Sequence, residues 1–399
     1  MRGGTSKGLY FLAADLPADK DVKPVEILVV PEYTEGIVFD HAGHAYISHG
    51  KVITRIKFTG PERKAVAEEW ARTGAPNGHK VLADGTHLVC DASHHAVLHL
   101  DSNGKMLAPA SKECGGKPLR APNDLTLDPR GGFYFTDPGG SDDRKPIGTV
   151  HYVDPKGKTH LVAGGLAFPN GIVLRPGGKS LLVGESKKNR VLEYPVLAPG
   201  KVGEMKVLVD LPEKKAGQID NQPDGMCLDA DGNLYVAHYG MRQVQVVSPE
   251  GKVIRRYAGG TLTTSNVAFD GKDMDQLYVT GALGSEQGSK GALFRLDLKG
   301  VRGLKILPSE VANRVVVFRV AQPAWQHVAR VACILANFRR AQIANPLNDA
   351  LARLVRRLRH RLGRHLLCGE PRHCERPAWK LARHRVESRK GLEIELRGG

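Results

Sequence analysis

Apolar and polar residues alternate in short runs along most of the chain, and glycine-, proline- and asparagine-rich turns separate the runs. One clear example opens at Asp224, continues through a short apolar run, turns at Asp231–Gly232 and resumes at Leu234–Val236. Alternation with a period of two between such turns is typical of paired β-strands. The pattern therefore predicts a chain built from β-hairpins.

Six copies of this unit follow one another. They open at Glu35, Asn77, Asn123, Asn170, Asp224 and Asn266. Successive openings are 42, 46, 47, 54 and 42 residues apart, which suits about four short strands per unit. The chain is therefore predicted to be all-β and to form a six-bladed β-propeller. The earlier run Val25–Val30 is expected to complete the sixth blade and hide its edge, in preference to 304–307.

The repeat covers only the middle of the chain. We predict an N-terminal segment at 1–22, the propeller at 23–303 and a basic C-terminal extension at 304–399. The extension holds 20 basic and 7 acidic residues, which leaves 38 and 35 to the rest of the chain, so it carries most of the net charge of +16. Its Arg- and His-rich sequence lacks the turns of the repeat. We expect it to be partly helical or disordered and to lie outside the native fold.

Part of the extension has helical periodicity. Its apolar residues share one face: Leu351, Leu354, Val355, Leu358 and Leu362. Such a helix can bind an anionic membrane or nucleic acid, it can pack on a protein surface, or the segment can be an out-of-frame translation. We favour an out-of-frame translation. Nucleic acid is therefore not expected as a partner, and only the basic extension at 304–399 could bind it. His365, Cys368, His373 and Cys374 match no common zinc spacing, and no zinc site is predicted.

The N-terminal segment does not match the repeat. Its sequence consists of Met1–Gly8 followed by Leu9–Phe11 and Asp15–Pro17. These residues resemble the opening of the methylitaconate isomerase and oxalomesaconate tautomerase family. The resemblance ends at residue 17, so it implies a remnant of another family and no activity.

Targeting signals and disulfide patterns are not apparent in the sequence. It contains no apolar run of about 18 residues and no pattern of a signal peptide. Six cysteines in 399 residues are too few for a disulfide framework. We therefore expect a cytoplasmic protein without a membrane span.

The opening residue of each unit stands immediately before the innermost strand. Five copies appear in phase: Glu35, Asn123, Asn170, Asp224 and Asn266. Asn77 appears about two residues out of phase. The symmetry of a propeller places such residues around one mouth of its central channel. Carboxylate and amide oxygens favour hard divalent cations, and we prefer this interpretation to the alternative that these residues only form turns.

Several motifs also carry a family resemblance: Glu35–Asp40, Pro122–Asp124, Phe135–Pro138, Phe168–Gly171 and Pro223–Gly225. Residues 25–300 resemble the regucalcin/gluconolactonase family of six-bladed propellers. The resemblance implies that Glu35, Asn170 and Asp224 bind one divalent cation and that Asn123 is a ligand or a substrate contact. It implies Ca²⁺ first, with Mg²⁺, Mn²⁺ or Zn²⁺ as alternatives.

The same resemblance implies hydrolysis of a lactone, such as a sugar-acid lactone. Asp224 is then the candidate general base, and Arg120 is a candidate substrate contact. Two departures concern the substrate, since Ile37 and Phe39 stand where the family has proline and tryptophan. Arg120 also lies three residues before Asn123, which shifts the family's Arg-x-Asn pairing. The alternative function is a propeller that binds Ca²⁺ or a protein without catalysis. The identity of the lactone and the oligomeric state are not predicted.

Overall fold

A computed structural model describes residues 19–60, 63–213, 221–286 and 288–304. The isomerase-like residues 1–17, the amphipathic stretch at 351–362 and the His/Cys set at 365–374 lie outside the described residues. Within the described part, the chain forms a ring of antiparallel sheets, here called blades 1 to 6 in chain order. No helix in this part is long and apolar enough to cross a membrane.

The first described strand, β1 (Val25–Val30), belongs to the last blade. The inner-to-outer strands of blades 1 to 3 are as follows. Blade 1 contains β2 (Thr34–Phe39), β3 (Ala45–His49), β4 (Val52–Thr59) and β5 (Lys64–Arg72). Blade 2 contains β6 (Pro76–Val81), β7 (His87–Asp91) and β8 (Ala96–Leu100), followed by a hairpin of β9 (Glu113–Cys114) and β10 (Lys117–Pro118). Blade 3 contains β11 (Leu125–Leu127), β12 (Phe133–Asp137), β13 (Gly148–Val153) and β14 (Thr159–Leu166).

Blades 4 to 6 follow the same order. Blade 4 contains β15 (Pro169–Leu174), β16 (Ser180–Glu185), β17 (Arg190–Ala198) and β19 (Lys206–Asp210), with short β18 (Lys201–Val202) also paired to β17. Blade 5 contains β20 (Gln222–Leu228), β21 (Leu234–Tyr239), β22 (Gln243–Val247) and β23 (Val253–Ala258). Blade 6 contains β24 (Thr263–Asp270), β25 (Gln276–Ala282), β26 (Gly291–Asp297) and β1. Two 3-10 turns lie in blade 4, at Pro176–Gly178 and Ser186–Lys188.

The blades pack face to face through apolar side chains. A cluster of buried residues fills each junction between neighbouring blades, because each sheet is apolar on both faces. At the junction of blades 6 and 1, Leu293 and Tyr278 pack against Ile47 and Ile56. This junction closes the ring. The six-bladed propeller predicted from the repeat is confirmed.

Strand β1 closes the ring as predicted. It pairs antiparallel with β26, with Val30 opposite Gly291. The alternative at 304–307 is wrong as far as the described residues reach, because the Leu304 N–H donates to the carbonyl of Leu228 in blade 5. The Asp19 N–H likewise donates to the Arg256 carbonyl. Packed residues therefore extend to 19 at one end and to 304 at the other.

Blade 2 departs from four regular strands. Its outer edge is formed by isolated bridges, Val97 with Ser111 and Leu100 with Met106. Pro109, which has no N–H to donate, lies between the two bridged positions. The fourth strand predicted for this unit is thus replaced by an irregular segment.

Candidate metal centre in the central channel

The innermost strands of the blades share one register, and this register identifies the equivalent residue in each blade. The paired positions Pro76–Asp91, Pro169–Glu185 and Pro223–His238 each precede a β-bulge. Counting from them, the equivalent residues, here called the ring residues, are Glu35, Asn77, Asn123, Asn170, Asp224 and Ser265.

This register corrects two positions in the predicted ring. Asn77 is in phase, since it follows Pro76 just as Asn170 follows Pro169. The sequence had suggested otherwise because the aspartate of the following turn, Asp84, lies seven residues after Asn77, whereas Asp229 lies five residues after Asp224. Asn266 is one residue past the ring, and Ser265 takes the ring place in blade 6. The spacing contained this signal, because Asn266 lies four residues before Asp270, whereas Asp224 lies five residues before Asp229.

The ring residues are held close together by the residues that follow them. In blade 4, a Cβ at Gly171 would lie 2.1 Å from the carbonyl oxygen of Asp224 in the next blade. In blade 1, a Cβ at Gly36 would lie 2.0 Å from the carbonyl oxygen of Asn77. Only glycine permits such an approach, so these glycines set the width of the channel mouth.

Hydrogen bonds between neighbouring blades also hold the backbone of three ring residues. The Ser48 hydroxyl donates to the Asn77 carbonyl at 2.9 Å, and the Thr136 hydroxyl donates to the Asn170 carbonyl at 2.8 Å. The Gly78 N–H donates to the Asn123 carbonyl at 2.8 Å. The backbone of the ring is therefore fixed by contacts between blades, which makes its geometry a property of the closed propeller.

Glu35 in blade 1 and Asp224 in blade 5 are the two carboxylic acids among the ring residues, and the charge of Glu35 acts on Asp224. Burial raises the pKa of Glu35 to about 7; the Tyr33 hydroxyl, which donates to Glu35 Oε1 at 2.6 Å, opposes the shift and the charge of Asp124 adds to it. Burial also raises the pKa of Asp224 well above its usual range, and the charges of Glu35 and Asp124 add to the effect. Burial and neighbouring negative charge thus disfavour the ionised form of both carboxyls.

The amide ligands predicted from the sequence lie beside these carboxyls. The side chain of Asn170 hydrogen-bonds to Asp224 and opposes the rise of its pKa. Glu35, Asn170 and Asp224 are each no more than 8% exposed. The structure therefore brings these three predicted ligands together at the mouth.

Two buried oxygens of this cluster lack hydrogen-bond partners among the described residues. They are Glu35 Oε2 and Asn123 Oδ1. An unpaired buried acceptor is costly in free energy, and a bound cation would satisfy both. Within the described part of the chain, no three acidic, histidine or cysteine side chains are grouped closely enough to bind a metal by themselves. A cation here would need amide oxygens as well as carboxylates, which the ring supplies.

Arg120 lies beside the mouth, but its side chain bonds within blade 3. Its Nη2 donates to the Ile147 carbonyl and, at 3.3 Å, to the Thr149 hydroxyl. Its Nε is buried without a hydrogen-bond partner among the described residues. These bonds orient the guanidinium along the blade, and its contact with substrate stays a prediction.

Two residues of the site, Tyr33 and Asp124, were not predicted from the sequence, and the predicted Asn266 lies one residue past the ring position. Four blades have glycine directly after the ring residue, whereas blades 3 and 6 have Asp124 and Asn266. The Asp124 carboxylate lies over Gly78, and the Asn266 amide lies over Gly225. Burial raises the pKa of Asp124, and Lys80 opposes that rise. The loss of glycine in two of six aligned repeats was a signal in the sequence.

Comparisons with known proteins identify the family of this chain. The family model described as the SMP-30/Gluconolactonase/LRE-like region matches residues 34–283. The lactonase drp35 of Staphylococcus saprophyticus is 31% identical over 249 residues, which cover 59% of this chain and 74% of that protein. The gluconolactonase of Zymomonas mobilis is 27% identical over 285 residues, which cover 65% of this chain and 79% of that protein.

A solved structure supports the fold independently. The regucalcin from Agrobacterium tumefaciens, described as a calcium-binding protein, superposes with a TM-score of 0.57 at 20% identity. The match covers 71% of this chain and 95% of that protein. At this identity the likeness shows the propeller fold alone.

Proposed function

Since this chain belongs to the SMP-30/Gluconolactonase/LRE-like family, we propose that it is a metal-dependent lactonase that opens the ring of a sugar-acid lactone. The observation that carries the proposal is the cluster of Glu35, Asn123, Asn170 and Asp224, with two unpaired buried oxygens. The lactonase and gluconolactonase activities named for its relatives support it.

One divalent cation would be held by Glu35, Asn170 and Asp224, with Asn123 as a further ligand or a substrate contact. An all-oxygen set favours Ca²⁺, while Mg²⁺, Mn²⁺ and Zn²⁺ remain alternatives to be tested. Two carboxylates balance a divalent charge, and a bound cation would oppose the burial and the neighbouring negative charges that raise the pKa values of Glu35 and Asp224. The cation, when bound, would polarise the lactone carbonyl and lower the pKa of a bound water.

Asp224 is the proposed general base. It would accept a proton from the water that attacks the lactone carbonyl, and the proton would then pass to the ring oxygen as the C–O bond breaks, giving a hydroxy acid. Its burial beside Glu35 raises its pKa, and a carboxylate with a raised pKa binds a proton more readily. Asn123 would orient the carbonyl or a substrate hydroxyl, and Arg120 would contact a polar substituent.

A panel of aldonolactones, assayed with added Ca²⁺ and with chelator, tests the proposal. We expect hydrolysis of at least one lactone above the spontaneous rate, loss of activity on chelation and recovery on readdition of cation. Cation binding without hydrolysis of any lactone would favour the second candidate, a non-enzymatic calcium-binding propeller, which the description of the regucalcin relative supports. Hydrolysis that persists in chelator would contradict the metal dependence.

A further inference from the structure

A second layer of carboxylates lies behind the ring residues, on the strand next to the innermost one. In blades 2, 3 and 4 this second strand ends in a buried acid, and the acids are Asp91, Asp137 and Glu185. None is more than 2% exposed. An acid at this depth needs compensating hydrogen bonds.

Each of these acids accepts hydrogen bonds from the backbone just ahead of a ring residue. The Asp137 carboxylate accepts from the Arg120 N–H at 2.9 Å through Oδ2 and from the Ala121 N–H at 2.6 Å through Oδ1. Ala121 lies two residues before Asn123. The loop that delivers Asn123 to the channel is therefore held by one carboxylate at two consecutive N–H groups.

Blades 2 and 4 repeat the arrangement. Asp91 Oδ2 accepts from the N–H groups of Gly74 and Ala75 at 2.9 and 3.0 Å, ahead of Asn77. Glu185 Oε1 accepts from the Ala167 N–H at 2.9 Å, ahead of Asn170, while its Oε2 accepts from Arg190 Nε at 2.7 Å. We call these three acids, Asp91, Asp137 and Glu185, the clamps. Each of the three blades that has a clamp also has an asparagine as its ring residue.

Blades 1 and 5, whose ring residues are the carboxylates Glu35 and Asp224, have no acid at the clamp position. The equivalent positions are His49 in blade 1 and His238 in blade 5. Burial and the charge of Arg256 lower the pKa of His238 to about 3, so it is neutral, and its Nε2 bonds to Asn189 Oδ1 at 2.9 Å. A negative charge is therefore placed behind the neutral ligands and not behind the charged ones.

We propose that Asp137 and Glu185 are positioning residues for Asn123 and Asn170, so that cation affinity depends on two carboxylates that do not touch the cation. The inference rests on the metal site of the proposed function. Charge-assisted bonds to backbone N–H groups are stronger than neutral ones, and they fix where each amide oxygen points. Asp91 would position Asn77 in the same way, through the N–H groups of Gly74 and Ala75.

The test uses full-length Asp137→Asn and Glu185→Gln, titrated with Ca²⁺ alone by calorimetry. In each variant one of two carboxylate oxygens becomes an NH₂ group, which cannot accept the second hydrogen bond. We expect the Kd for Ca²⁺ to rise about 10- to 100-fold, the range found when groups that orient ligands are lost. Activity on any lactone cleaved by the wild type should return toward its kcat as Ca²⁺ is raised.

Two matched controls separate positioning from general stability. Asp128→Asn removes a buried acid of blade 3 that binds Arg130. Glu193→Gln removes a buried acid of blade 4 that accepts hydrogen bonds from Ser180 and Arg175. Neither acid contacts the loop ahead of a ring residue, so both controls should lower the melting temperature and leave the Kd unchanged.

Three outcomes would overturn the proposal. An unchanged Kd in both clamp variants would remove the positioning role and leave the metal site intact. An equal rise of the Kd in the controls would assign the effect to stability. If the wild type binds no divalent cation, this inference and the proposed function fail together. If Asp137→Asn does not fold, Glu185→Gln decides alone, because it lies in a different blade.

Discussion

At the scale of single residues, the channel mouth gathers three buried carboxyls, Glu35, Asp124 and Asp224. Burial is the largest cause that raises the pKa of each; the charge of Asp124 adds to the rise at Glu35, and the charges of Glu35 and Asp124 add to the rise at Asp224. A site arranged in this way binds a proton or a cation readily. Both behaviours can be measured separately.

We expect Ca²⁺ to raise the melting temperature because it binds only the folded ring. At 100 times its Kd, the ion should add about 2.7 kcal/mol, or roughly 3 to 5 °C for a protein of this size. Glu35→Gln removes one ligand charge and should reduce that shift severalfold in a thermal denaturation series. A full shift in Glu35→Gln would exclude Glu35 from the site.

The substitution Asp224→Asn distinguishes a role of Asp224 as a metal ligand from its role as the general base. The substitution keeps one ligand oxygen and removes the proton acceptor, so kcat should fall about 10²- to 10⁴-fold even at saturating Ca²⁺. If Asp224 is a ligand only, raising Ca²⁺ should restore kcat. A nearly silent Asp224→Asn would indicate a turn residue, since asparagine suits such turns equally well.

Buried histidines predict a loss of stability in mild acid. Burial lowers the pKa of His87 to about 4, and its Nδ1 lies 2.8 Å from Nε2 of His79, whose pKa is lowered further. The unfolded chain takes up these protons near pH 6.5, so the free energy of unfolding should fall as the pH drops from about 6.5 to 4. For His87 alone the loss is roughly 3 kcal/mol.

Urea unfolding at several pH values measures this effect. His87→Gln should flatten the dependence by about one proton. An identical slope in this variant and in the wild type would contradict the role of His87.

At the scale of strands, the sequence predicted what repeats and failed where a repeat is modified. Turn residues and alternation sufficed for six blades and for β1, because local hydrogen bonding and burial determine both. The ring register was harder. Ser265 in place of an amide and Asp124 in place of glycine follow from contacts between blades, which a single linear unit does not contain. The clamp at Asp137 was missed for the same reason.

The closing strand gives a paired test at this scale. Leu28 in β1 is half-buried against the junction of blades 6 and 1, while its neighbour Val29 is exposed. Leu28→Asp buries an unpaired charge and should cost about 2 to 4 kcal/mol in urea unfolding. Val29→Asp should cost about 1 kcal/mol or less. Equal costs would mean that β1 does not pack as described.

At the scale of the whole molecule, the chain after β26 continues to hold the propeller together. Leu298 is buried, its N–H donates to the Asp275 carbonyl, and Gly303 bridges to Asp229 in blade 5. We propose that the propeller folds without the basic extension but not without this crossing segment. Leu304, the last described residue, packs against the junction of blades 4 and 5, and the predicted boundary at 303 stays a prediction.

Two truncations test this boundary. A chain that ends at 304 should keep the melting temperature of the full protein and its response to Ca²⁺. A chain that ends at 297 should lose about 3 kcal/mol or more, since it exposes Leu298 and the faces beneath it. A strong loss in the first truncation would show that residues beyond 304 belong to the folded unit.

The pairing of β1 with β26 also governs how the protein is made. Val25 lies opposite Arg295, so the first described strand cannot pair until the last described strand has been synthesised. At about 5 to 20 residues per second, the intervening chain takes roughly 15 to 50 s to synthesise. Throughout that time blade 1 has no neighbour on one face and β1 has no partner. Synthesis therefore exposes an apolar surface and a strand edge that the finished molecule hides, and the nascent chain depends on chaperones or on speed to escape aggregation.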